Sequence, residues 1–105
     1  MGTSEPTCWA STSRASTSKA VDDYLGHVVI LDMASTYIIL GTLDQADPHH
    51  LTLSDADVHD LRESGSTRDF YVSQAKAGGI RVNRQQVLIR LAEVVGITRL
   101  DDFVG

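Results

Sequence analysis

The sequence has few residues that could form covalent or metal cross-links. Cys8 is the only cysteine, so no disulfide can form within the chain, and no spaced Cys and His pairs indicate a structural zinc site. A lone thiol fits a reducing compartment, and we expect a cytoplasmic protein. Aromatic residues make up 6% of the chain, which predicts a core built mainly from Val, Ile and Leu.

Long apolar runs are also missing. No stretch approaches the ~20 apolar residues of a membrane span, and the first residues lack the apolar core of a signal peptide. We therefore expect no membrane association. The 105 residues are enough for one domain with a single modest core.

Positive charge is scarce as well. The formal net charge is −5, which taken alone argues against nucleic-acid binding, because phosphate groups favour a basic surface. The charges are unevenly distributed: residues 44–63 hold six acidic residues and one arginine, whereas four arginines lie in the last quarter of the chain. A barrel or a ring can present these two regions on different faces.

Strand-forming residues dominate the stretch from Tyr37 to Leu53, where the runs Tyr37–Leu43 and Leu51–Leu53 flank a short polar connection. Gly41 lies inside the first run, which is typical of a bend or of a close approach between two backbones. A strand bent at its middle suits a five-stranded sheet that curls into a small barrel. The predicted inward positions are Ile39, Leu43, Leu51 and Leu53.

Three more strands are predicted around this stretch. The first covers residues 27–33, the fourth is strongest at residues 87–89, and the fifth covers residues 93–100. The strand that begins near His50 is expected to continue to Leu61. Because several aspartates recur in its far half, we expect that half to be more exposed and its acids to form a solvated face.

The N-terminal part divides into a tail and a helix. Residues 1–18 are rich in Ser and Thr and predict a flexible tail, in which Trp9 is either incidental or an anchor onto a neighbouring subunit. Residues 19–25 carry an apolar helical face, with Ser18 as the predicted N-cap and Gly26 as the predicted end.

An elaborated loop is predicted between the third and fourth strands, at residues 62–79. Ser66 and Asp69 form a capping-box pattern, which favours a helix over residues 67–77 that stops at two glycines. The competing interpretation is a strand at residues 69–72. We expect the loop at 62–79 to be the place where a protein partner binds, if there is one.

Two groups of residues resemble the motifs of Sm-like (LSm) proteins. Gly41-Thr42-Leu43, Asp47 and Leu51-Thr52-Leu53 resemble the first motif, and Ile89-Arg90 with the β-branched run after it resembles the second. The resemblance covers roughly residues 24–100. It implies an Sm-like domain over residues 19–105: a mainly β fold in which an N-terminal helix precedes a strongly bent five-stranded antiparallel barrel.

The resemblance also implies a function. In Sm-like proteins, the residues after the motif Asp and the Arg of the second motif line the pore of a ring and hold one RNA base per subunit. It therefore implies a homo-oligomeric ring that holds single-stranded, uridine-rich RNA in RNA processing or chaperoning. The RNA-binding residues that it implies are Asp47, His49, His50 and Arg90.

The chemistry of those residues suits RNA, although the sequence departs from the family pattern at two positions. An imidazole and a guanidinium can sandwich a base. His50 stands where the family has Asn, and Leu91 stands where it has Gly. The alternative function is therefore a ring-forming assembly module that does not bind RNA, which the net acidity also favours. Asp47 can equally serve to cap its own loop by accepting hydrogen bonds from backbone amides.

No pattern indicates catalysis or a cofactor. Adjacent histidines on a tight loop rarely point at one ion, and no HxH or HxxxH spacing is present, so we predict no metal site. Neither a nucleophile triad nor a phosphate-binding loop appears, because Gly78-Gly79 lacks the Lys and Ser/Thr that such a loop needs. We expect a protein that is not an enzyme.

Overall fold

A computed structural model of the chain describes residues 20–105. The tail predicted at residues 1–18, with Trp9, lies outside the described residues. Residues 20–22 are helical, so the helix ends three residues before the predicted last residue, Leu25. Turns continue from there to Gly26, which has a φ of +81°. No helix in this part of the chain is long and apolar enough to cross a membrane.

Five antiparallel strands form one sheet in the order β4-β3-β2-β1-β5. The strands are β1 (Val28–Met33), β2 (Tyr37–Ala46), β3 (His50–Asp60), β4 (Arg84–Arg90) and β5 (Val94–Arg99). A 3-10 helix of three residues, Leu91–Glu93, is all that separates β4 from β5 in the chain. Because these strands are the two edges of the sheet, the sheet has to curl back on itself. The predicted strongly bent five-stranded fold is confirmed, as an open sheet.

Two α-helices stand between β3 and β4: α1 (Leu61–Ser64) and α2 (Arg68–Gly78). The helix predicted at residues 67–77 is thereby confirmed, and the competing strand is wrong. Its N-cap is Thr67, not Ser66, since the Thr67 hydroxyl accepts the Phe70 amide at 3.2 Å. Arg68 holds the start of α2 on the sheet by donating hydrogen bonds to two carbonyls of the β1–β2 turn region.

The bend in β2 has a visible cause. On β3, Asp55 and Ala56 together face the single residue Gly41 of β2, which makes a β-bulge. Asp55 adopts a positive φ of 47°, a conformation that Asp tolerates better than most residues. A Cβ atom on Gly41 would lie 3.0 Å from the Cα of Ala56 and 3.1 Å from the carbonyl oxygen of Ser54. The predicted close backbone approach at Gly41 is confirmed.

The inner face of the curled sheet holds the main core. All four predicted inward residues belong to it, together with apolar residues of β1, β3 and β4. Val21 and Tyr24 of the N-terminal segment pack against this core from one end. Its buried members are Val29, Leu31, Ile39, Leu43, Leu51, Leu53, Ala56 and Ile89.

A second core lies on the outer face of the same sheet, beneath α2. Side chains alternate between the two faces of a strand, so Ile30, Ile38 and Leu40 point away from the inner core. Val72 and Ala75 of α2 cover them. The middle strands β1 and β2 are therefore buried on both faces.

Much of the far half of β3 is buried, contrary to expectation, although Asp55 is exposed. Ala56 is 0% exposed because it belongs to the inner core. Asp57 and Asp60 are 3% and 7% exposed, since Asp57 bonds to α2 and Asp60 caps the start of α1. Asp57 accepts hydrogen bonds from the Tyr71 hydroxyl and from the Asn83 amide. The prediction of a solvated acidic face is wrong for these two aspartates.

Candidate nucleic-acid interface

The connection between β2 and β3 is a three-residue loop, 47–49, organised by Asp47. Its Oδ1 accepts hydrogen bonds from the backbone amides of His49 at 2.8 Å and His50 at 2.7 Å. Its own amide donates to the carbonyl oxygen of His50 at 2.9 Å. The loop-capping role considered for Asp47 is thus present, and the carboxylate determines where the two histidines lie.

The same hydrogen bonds determine the charge of this carboxylate. The amide of His49, followed by that of His50, lowers the pKa of Asp47 below its usual range, since an ionised carboxylate is the better acceptor. The imidazole Nδ1 of His50 lies 3.7 Å from Asp47 Oδ1. The loop therefore carries a fixed negative charge next to two exposed imidazoles.

The structure brings the two motif regions together. His50, the first residue of β3, pairs with Arg90, the last residue of β4. The amide of Leu91 donates a hydrogen bond to the carbonyl oxygen of His49 at 2.8 Å. Of the four predicted site residues, His49, His50 and Arg90 thus lie on adjoining backbone, and Asp47 holds the loop that carries the histidines.

Arg90 lies on the outer side of its strand. Its neighbour Ile89 is buried in the inner core, so the alternation of β4 leaves Arg90 exposed. None of the ion pairs within residues 20–105 involves its guanidinium. The interface therefore offers a cation and two imidazoles, which can stack on a base or donate hydrogen bonds to phosphate oxygens.

The turn after Arg90 accommodates the departure at Leu91. Residues 91–93 form a 3-10 helix, and Asp55 is the only non-glycine residue with positive φ in the described part of the chain. Leu91 therefore has an ordinary negative φ, so this turn does not require glycine. No group of three or more potential metal ligands is found among residues 20–105.

Both edge strands expose apolar side chains as well as unpaired backbone groups. Leu88 of β4 is 61% exposed and Val95 of β5 is 74% exposed. Neither strand has a second neighbour in the sheet. Edges of this kind favour pairing with another strand, because proteins otherwise protect them with charge, proline or coverage.

No protein-family model and no curated protein matches the chain. Solved structures do. The chain is similar to a Pyrococcus abyssii Sm protein in complex with a uridine heptamer, at 18% identity and a TM-score of 0.52, over 77% of this chain and 93% of that one. An Sm-like protein from Archaeoglobus fulgidus matches at 15% identity and a TM-score of 0.53, over 78% and 91% of the two chains.

A third similar structure is the SmAP1 heptamer of P. aerophilum, at 19% identity and a TM-score of 0.50, over 93% of this chain and all of that one. At such identities a likeness shows the fold alone. The chain therefore has the fold of the Sm and Sm-like proteins.

Proposed function

We propose that this chain belongs to the Sm-like proteins and forms a homo-oligomeric ring that binds single-stranded, uridine-rich RNA. The contacts are made by His49, His50 and Arg90, and Asp47 positions the two histidines. The observation that carries this proposal is the pairing of His50 with Arg90, which joins two motifs that are distant in the sequence. No catalytic step is involved.

The edges of the sheet support the ring. In one chain β4 and β5 each lack a neighbour on one side. Pairing β4 of one subunit with β5 of the next satisfies both edges, and a head-to-tail contact of this kind closes into a ring. The similar P. aerophilum structure is a heptamer.

The chemistry of the interface supports RNA as the ligand. A ring places one Arg90 and one pair of histidines from each subunit around a common axis, so that weak contacts add through effective concentration. The net charge of −5 matters less there, because the field in a narrow pore depends on its nearest groups. The similar P. abyssii structure holds a uridine heptamer.

The RNA contact can be tested by replacing two arginines of β4 separately. Fluorescence anisotropy with labelled oligo-U and oligo-A, at two salt concentrations, measures the affinity and its electrostatic part. We expect Arg90→Ala to weaken oligo-U binding about tenfold or more, which corresponds to the roughly 1–3 kcal/mol of one stacking contact. Arg84→Ala is the matched control, since Arg84 is an exposed arginine at the other end of the same strand. Equal affinity of Arg90→Ala and the parent would refute the proposed contact.

Light scattering tests the ring. The parent should have a mass several times that of the 11.4 kDa chain. Val95→Glu should lower that mass, because it places a charge on the edge strand β5. Val95 is exposed in the subunit, so the new charge is not buried in the fold of the single chain. Val104→Glu is the control, since Val104 is 94% exposed and lies outside both edge strands. A parent that is monomeric at micromolar concentration would contradict the proposal.

A second candidate function is an assembly module that keeps the ring without binding RNA. The net charge of −5 and the exposed Phe70 on α2, 56% accessible, favour it, because an exposed aromatic residue suits a protein contact at residues 62–79. An intact oligomer that binds neither RNA at low salt would select this function. The cytoplasmic location and the role in RNA processing stay predictions.

A further inference from the structure

A cleft of about 390 Å³ lies between α2, the far half of β3 and the segment at residues 79–83. We call it the α2 cleft. It is separate from the interface at His49, His50 and Arg90, none of which lines it. Its volume falls in the range of small-molecule sites, about 300–1,000 Å³.

Hydrogen bonds and a ring stack fix the inner wall of the α2 cleft. Asp57 is 3% exposed, and its carboxylate accepts from the Tyr71 hydroxyl and, at 3.1 Å, from the Asn83 amide. The ring of Tyr71 stacks on that of His59, with centroids 4.1 Å apart and planes 6° from parallel. His59 is held in turn by Ser64, whose hydroxyl lies 2.9 Å from its Nε2. The wall is therefore preorganised before any ligand arrives.

The rim of the α2 cleft offers groups that have no fixed partner within the described residues. Arg81 takes part in none of the ion pairs among residues 20–105. Gln74, on α2, adds a carboxamide that can both donate and accept. Ser66 contributes a hydroxyl from the opposite side of the opening.

Two glycines at the end of α2 line the cleft. Gly79 has φ +97°, a conformation that favours glycine. Gly78 has no such requirement, and a Cβ atom there would meet no heavy atom within 4 Å. Glycine in a helix costs about 1 kcal/mol relative to alanine. A larger side chain at Gly78 would therefore take up space at the cleft without contacting the rest of the chain.

The charges of the α2 cleft decide which ligand class fits. The lining contains one acidic residue, Asp57, and one basic residue, Arg81, whose formal charges cancel. A bare anion therefore gains little electrostatic attraction there. A planar group with donors and acceptors on its edge gains more, because aromatic residues, an amide and hydroxyls line the walls. Arg81 is then left for one phosphate, which a guanidinium binds in a bidentate manner. A nucleotide combines these parts, with a base for the walls and a phosphate for Arg81.

We infer that the α2 cleft binds a nucleotide, either free or carried by an RNA strand. The base lies against the His59–Tyr71 wall, with its edge toward Gln74 and Ser66, and the phosphate pairs with Arg81. The RNA-borne case rests on the proposed function, and the free case does not. In the RNA-borne case the α2 cleft is a second contact for a strand long enough to reach beyond the pore.

Saturation-transfer difference NMR with AMP, UMP and inorganic phosphate tests the free nucleotide, and it works for large assemblies. We expect saturable signals from a nucleotide and none from phosphate alone. Gly78→Val should weaken them by adding a side chain to the cleft lining, and Arg81→Ala should weaken binding about tenfold. Arg84→Ala, three residues away and outside the cleft lining, should leave the signals unchanged. The unfolding midpoint of Gly78→Val should be no lower than that of the parent, which separates a narrowed cleft from a damaged fold.

Oligo-U of two lengths tests the RNA-borne nucleotide. Arg81→Ala should weaken a strand about three times longer than the pore site by about tenfold, and leave a strand that just fills the pore unaffected. Arg90→Ala should weaken both. Signals lost in Arg90→Ala but kept in Gly78→Val would place the nucleotide at the pore and overturn the inference. So would an absence of both free and RNA-borne binding at the α2 cleft. A parent that ignores oligo-U but binds AMP in this cleft would refute the proposed function alone.

Discussion

Replacing Gly41 tests the origin of the bend in β2. A Cβ atom at this position lies 3.0 Å from both the Cα and the Cβ of Ala56, and 3.1 Å from the carbonyl oxygen of Ser54. Two of these three atoms belong to the backbone of β3. A flexible side chain could rotate away, but the backbone can move only if the bulge opposite Gly41 moves with it.

The cost follows from these contacts. Gly41→Ala forces a shift of a few tenths of an ångström in a packed region, and overpacking of this kind costs about 1–3 kcal/mol. Gly41→Val adds two methyl groups in the same place and should reach the upper end of that range or exceed it. Since Gly41 has no positive φ, the penalty comes from contact alone.

Urea denaturation at one fixed protein concentration measures the effect, because assembly also contributes to stability. With a slope of about 2 kcal/mol per molar urea, a loss of about 2 kcal/mol lowers the midpoint by about 1 M. Gly78→Ala is the matched control, and it should raise the midpoint slightly, since nothing lies within 4 Å and alanine favours a helix. If Gly41→Val unfolds at the midpoint of the parent, the close approach to β3 does not cause the bend.

Three further predictions concern buried or capping acids. Tyr71→Phe should lower stability by about 1–3 kcal/mol, because it removes a donor from buried Asp57, and urea denaturation showing no loss would contradict this. The hydrogen bond from the Arg62 side chain lowers the pKa of Asp60 well below its usual value. This bond therefore stabilises the fold fully above the unfolded pKa of about 3.9, and the stabilisation is lost as the pH falls through the lower pKa of the folded state. Asp60→Asn should therefore be less stable than the parent at pH 7 by thermal denaturation, with the difference shrinking below about pH 4; a difference independent of pH would argue against this. Asp47→Ala should weaken oligo-U binding in anisotropy while Asp47→Asn, which keeps an acceptor for both amides, retains most of it; equal losses would mean that the charge matters and the positioning does not.

The sequence predicted the inner core and missed the outer one. The alternation of Ile39, Leu43, Leu51 and Leu53 predicted one buried face, and these four residues are buried together. A signal for the second face was present, since residues 38–40 form an unbroken apolar run, which is typical of a strand covered on both sides. The helix that covers it was predicted from its caps, but caps carry no information about where a helix docks.

The candidate interface could be predicted from the sequence, whereas the α2 cleft could not. The resemblance to Sm-like motifs implied that His50 and Arg90 serve one site, and the structure pairs the two residues on neighbouring strands. No local pattern joins Asp57, His59 and Tyr71, because tertiary packing of α2 on β3 brings them together. In the sequence Asp57 does not differ from the exposed Asp55, and only the hydrogen bonds from Tyr71 and Asn83 set it apart.

The helix α2, inserted between β3 and β4, packs where it leaves both edge strands of the sheet uncovered. Its apolar residues cover Ile30, Ile38 and Leu40 on the two middle strands, and neither β4 nor β5 contributes a buried residue to this outer core. Both edges therefore remain free for neighbouring subunits. Without α2, these three apolar side chains would be exposed to solvent. The helix therefore stabilises the subunit as part of its core. The same docking forms the α2 cleft along the length of the helix, so one packing event buries the outer core and forms the cleft that we infer to bind a nucleotide.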